Sequence, residues 1–112
     1  MSNISTKCVF RIVGLSDKGL LYLEENYLNG IKYRKGRSHK DESRRVLVVI
    51  LDKNIKANFL QELIQQSTDD IQFGFLVSAS SNEETVIIDI PEYLLDLQNV
   101  VGGTVSFSYT CI

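Results

Sequence analysis

The sequence predicts an α/β domain of the α+β kind: a ferredoxin-like βαββαβ core extended by a third βαβ unit, with a mostly antiparallel sheet and helices on one face. Three observations carry this. Short runs alternate apolar and polar residues, as strands with one buried face do. Between them, apolar residues recur at helical spacing. The two kinds of segment then follow one another as βαβ three times over. The 112 residues fit one domain, 1–112, and their 44% apolar and 23% charged content is that of an ordinary globular core.

Thr6–Val13 opens as a strand with Cys8, Phe10 and Ile12 on one face and Lys7, Val9, Arg11 and Val13 on the other, ended by Gly14. Ser16 or Asp17 can cap the next helix, whose stripe is Leu20, Leu23 and Tyr27 with Leu21 and Leu28 beside it. Asn29-Gly30 stops it, and Gly30–Lys35 reads as a short strand with Ile31 and Tyr33 inward. Gly36–Ser43 is polar and aperiodic, hence a loop. Arg44–Asp52 is apolar on both faces, which suits an interior strand.

Asn54 is expected to cap a helix carrying Ile55, Phe59, Leu60, Leu63 and Ile64, which ends over Ser67–Asp70. Ile71, Phe73, Phe75 and Val77 form the apolar side of a further strand, Ala79–Glu84 a turn, and Thr85–Ile90 another strand. Pro91 suits the first turn of a helix that buries Leu94, Leu95 and Leu97 and closes at Gly102-Gly103. The last strand sets Val105, Phe107, Tyr109 and Cys111 against Thr104, Ser106, Ser108 and Thr110.

Chemistry-bearing residues are sparse. His39, the one histidine, falls in the most polar loop, where a solvated side chain is the simpler reading. Cys8 and Cys111, near the two ends, read as core thiols of a reducing compartment; a disulfide between them would need the first and last strands to pair. A zinc site needs about four ligands, which one histidine and two distant cysteines do not supply. The acidic doublets sit in turns, and no phosphate-cradling glycine motif occurs. The expectation is therefore no enzyme, no cofactor and no metal. The longest apolar run, Val46–Leu51, is far shorter than a bilayer span, and no secretion signal opens the chain, so a cytoplasmic protein with no membrane partner is expected.

Charge is unevenly distributed. The net charge is −2, yet residues 1–45 sum to +5 and residues 46–112 to −7. Lys32, Arg34, Lys35, Arg37, Arg44 and Arg45, with Lys40 among them, make a basic segment suited to phosphate contacts. Alternation would set Lys32 and Arg34 on the same open face as Lys7 and Arg11. Aromatic residues for base stacking are missing from that face, and the pI of 5.3 also argues against nucleic acid. The acidic half offers Asp69, Asp70, Glu83, Glu84, Asp89, Glu92 and Asp96 as contacts for a basic protein, and the free edge of the last strand could accept a partner strand.

The segments FRIVG (10–14), YRKG (33–36) and IPEYLLDLQNVVGGTVSFSY (90–109) resemble a family of small bacterial domains of unknown function, over nearly the whole chain. In size, acidity and lack of catalytic groups the chain also resembles bacterial toxin immunity proteins, including those of contact-dependent growth inhibition. That second likeness implies a cytoplasmic immunity protein that neutralises a cognate toxin, a basic nuclease, by stoichiometric occlusion of its active site. It carries over no binding residues, so the acidic positions above stand as the candidate contact. The alternative is a nucleic-acid-binding or regulatory domain using the basic 32–45 segment.

Overall fold

A computed structural model describes residues 5–38, 41–67, 70–81 and 90–111. Strands β1 (Ser5–Leu15), β2 (Tyr33–Arg37), β3 (Arg45–Ile50), β4 (Gln72–Ser81) and β5 (Thr104–Cys111) form one sheet in the order β2-β3-β1-β4-β5. Helices α1 (Asp17–Asn26), α2 (Ala57–Gln66) and α3 (Glu92–Val101) join them. The first four strands pair with one another antiparallel, as in a ferredoxin-like βαββαβ unit. α3 then returns the chain so that β5 runs parallel to β4 at the sheet's end. The predicted α+β class, mostly antiparallel with an added unit, is the observed one.

The core is a single layer between sheet and helices. Phe10, Ile12, Leu47, Val49, Phe75 and Val77 from the strands meet Leu23, Leu60, Leu63 and Leu94 from the helices, all at most 2% exposed. Phe10 stacks at a tilt on Phe75, with ring centroids 5.0 Å apart. The strand does not stop at Gly14. That glycine (φ 106°) makes a bulge between Val13 and Leu15, and the extra residue turns Leu15 into the core although its parity with Val13 would put it on the far side.

Several local expectations are corrected. α2 is capped by Lys56 rather than Asn54, because Asp52 Oδ1 accepts from the Asn54 N–H at 2.8 Å and holds that stretch as a turn. Gly36 and Arg37 extend β2 through pairing with Val46 and Arg45 and are not loop. Ala79–Ser81 continue β4 and are not turn. Leu95 is 43% exposed, so α3 buries Leu94 and Leu97 without it. Phe107 and Tyr109 lie in register with Val77 and Ala79 on the core side, yet both are exposed because β5 is the end strand. Most of the expected strand over 85–90, and His39, lie outside the described residues, while Ile90 is not in a strand. β4 separates β1 from β5, so Cys8 and Cys111 are not on neighbouring strands. Among the described residues no helix is long and apolar enough to cross a membrane.

Candidate functional site

The three described helices pack on one side of the sheet, and among the described residues its other side is open. Register decides what that side carries. Arg34 pairs with Val48, Val48 with Arg11, Arg11 with Gly74, and Gly74 with Thr104, which makes one row across five strands. The adjacent row is Gly36, Val46, Val13 and Gln72. On the other flank Ile50, Val9, Leu76 and Ser106 align, with Lys32 beside them through its carbonyl, which accepts from the Ile50 N–H. Lys7 follows, opposite Ser78.

Lys7, Arg11, Lys32 and Arg34 are all exposed, and none of the strand positions on this side is a carboxylate. Neither Arg11 nor Arg34 makes an ion pair among the described residues. The acids of the helices, among them Asp17, Glu24, Glu62, Glu92 and Asp96, stand on the opposite side of the sheet. Among the described residues the chain is thus polarised across its sheet, with a positive open face and a negative helical face.

The basic 32–45 segment is not one surface. Alternation sends Lys35 to the helical side, where its ammonium lies 3.1 Å from Glu24. Tyr33, on the same side, donates to Glu24 at 2.7 Å. That bond and then the Lys35 charge hold the Glu24 carboxyl below its usual range, while the Tyr33 hydroxyl is pushed up. Arg45 pairs with Asp17 at 2.7 Å and donates to the Glu42 carbonyl at 3.1 Å. Arg44 also has a partner and lies near Asp41, whose carboxyl is lowered mainly by the Ser43 hydroxyl. Arg37 borders the open face at its β2 end. Among the described residues of the segment, Lys32 and Arg34 join Lys7 and Arg11 on this face, with Arg37 at its edge.

The open face is not flat. Two glycines indent it. Beside Gly74 lies a hollow of about 120 Å³, lined by Arg11, Gln72, Thr104 and Ser106 among others. Beside Gly36 a larger one, of about 430 Å³, is lined by Val13, Val46, Val48, Arg11, Arg37 and Gln72 among others. Glycine inside a strand often marks a close approach by backbone or ligand, and that signal was available in the sequence. What the sequence lacked was the register that puts both glycines on Arg11's side.

The acidic candidates that the structure describes do not gather at one place. Asp70 precedes β4 at the end of the sheet where α3 finishes, whereas Glu92 and Asp96 lie on the first turns of α3, toward the other end. Asp69, Glu83, Glu84 and Asp89 lie outside the described residues. Cys8 is a buried thiol, as its strand face predicts; burial raises its pKa, and the Tyr93 hydroxyl hydrogen-bonds to it. Tyr93 in turn is pushed up to about 12, chiefly by its own burial. Among the described residues no group of three or more His, Cys, Asp or Glu side chains could hold a metal ion.

No known family and no curated protein matches the chain. A solved structure that it is similar to is LarC2, the C-terminal domain of a cyclometallase involved in the synthesis of the NPN cofactor of lactate racemase, in its apo form. The two share 20% identity and a TM-score of 0.38 over 65% of this chain, which spans 57% of that one. Nothing among these comparisons points to a toxin immunity protein, and that expectation is not carried further.

Proposed function

We propose that the chain binds nucleic acid through its phosphate backbone, on the open face of the sheet. One observation carries this reading: Lys7 and Arg11 of β1, Arg34 of β2 and Lys32 just before it share a surface that, among the described residues, carries neither a helix nor a carboxylate. Phosphate contacts supply affinity without reading sequence. The face offers no aromatic ring for stacking, since Phe10 and Phe75 point into the core, so contact is made by cations and by the hydroxyls of Thr104, Ser106 and Ser108. The acids on the helices orient the encounter, because a phosphate chain is repelled from that side.

Fluorescence anisotropy with labelled single-stranded and duplex oligonucleotides tests it. Four phosphate contacts give a log–log salt slope of about −3 to −4, and each cation removed flattens it by about 1. The double variant R11A/R34A should bind at least tenfold more weakly, whereas K35A, whose ammonium is engaged by Glu24, should bind as the parent does. An unchanged affinity in R11A/R34A, or no binding at low salt, overturns the proposal.

A further inference from the structure

The two hollows of the open face are neighbours, both lined by Arg11, Val13 and Gln72, and are treated together as a groove. Their chemistry differs. The larger, of about 430 Å³, has an apolar floor of Val13, Val46 and Val48 and lies within the size range of small-molecule clefts. Its depth comes from Gly36, where an added Cβ would meet nothing within 4 Å. The smaller, of about 120 Å³, has the room of about four water molecules. It is polar: the Thr104 hydroxyl leans over Gly74, 2.7 Å from where a Cβ would be, and Arg11 is the cross-strand neighbour of that glycine.

A guanidinium beside hydroxyl donors is the chemistry that holds a tetrahedral oxyanion. An apolar floor about two strand spacings away, roughly 10 Å, suits a flat ring joined to that anion. We infer that the groove seats one nucleotide unit, with its phosphate on Arg11 and the Thr104 hydroxyl above Gly74, and its base on Val13, Val46 and Val48 beside Gly36. This rests on the reading of the open face as a nucleic-acid surface and gives it a defined unit of recognition. Lys7, Lys32 and Arg34 would then hold the phosphates that continue the strand.

Amide chemical-shift titrations with adenosine monophosphate, adenosine and inorganic phosphate separate the two hollows. The monophosphate should saturate and move Gly36, Val46 and Val48 together with Gly74 and Thr104. Adenosine should move the first set alone and phosphate the second alone. Gly36→Val fills the larger hollow without touching the core; it should weaken monophosphate binding at least tenfold and leave the phosphate response at Gly74 intact. Thr104→Val keeps the side-chain shape, removes the hydroxyl, and should weaken phosphate and monophosphate alike. Equal monophosphate affinity in Gly36→Val, or shifts spread over Lys7 and Lys32 without saturation, overturns the nucleotide seat. Oligonucleotide binding without monophosphate binding sinks the seat but keeps the wider function; loss of both sinks both.

Discussion

Thr104 Oγ1 occupies the space over Gly74 that a side chain there would need, and the Thr104 carbonyl oxygen lies 2.9 Å from the same point. The close parallel pairing of β4 with β5 at this position thus depends on glycine. Gly74→Ala must push backbone as well as a hydroxyl, so it should cost about 1–3 kcal/mol in denaturant unfolding. Shortening Thr104 to Ala in the same chain should restore only part of the loss, because the carbonyl contact remains.

Gly14 is under a double constraint. Its φ of 106° is one that residues with a Cβ rarely adopt, and a Cβ would stand 2.8 Å from the Asp70 carbonyl oxygen. Gly14→Ala should therefore destabilise by about 2–4 kcal/mol. Because the bulge is what turns Leu15 inward, hydrogen exchange should quicken along Val13–Leu15 before the rest of β1.

Glu24 gives the acid side of the stability profile. Its carboxyl is lowered by the Tyr33 hydroxyl first and Lys35 second, so the folded chain takes up that proton less readily than the unfolded one. The resulting stability is complete above the ordinary carboxylate range and is lost as pH falls through the depressed value. Tyr33→Phe should therefore destabilise the chain most in denaturant unfolding at neutral pH, and its difference from the parent should shrink as pH falls through the depressed value.

Tyr93 acts at the other end. With its pKa raised to about 12, its contribution is complete below the ordinary tyrosine range near 10 and is lost as pH rises toward 12. Absorbance titration should show a late tyrosinate step that Tyr93→Phe abolishes. The same variant should lose less stability between those two pH values than the parent.

Strand parity was legible from the residues alone: Cys8, Phe10 and Ile12 against Lys7 and Arg11, and Phe75 and Val77 against Gly74. Parity even set Lys32 and Arg34 on the face of Lys7 and Arg11, because a period of two survives without knowledge of the neighbours. What failed was whatever depends on a distant partner. Lys35 and Arg45 look like the rest of the basic segment until Glu24 and Asp17 are brought against them from α1. Asn54 has the chemistry of a helix cap but is already engaged two residues back by Asp52. The described acids of the acidic half divide in space between the helices and the ends of the sheet.

The placement of β1 has a consequence for the timing of biosynthesis. It is the middle strand, and both of its neighbours, β3 and β4, are made after it. At about 5–20 residues per second, β1 waits several seconds as an unpaired apolar segment before Ser81 completes its second ladder. The groove around Arg11 is later still, since its Thr104 wall arrives with β5, the last strand to join. Truncation after β4 would therefore remove both the core residues Leu94 and Leu97 of α3 and the Thr104 wall of the open face.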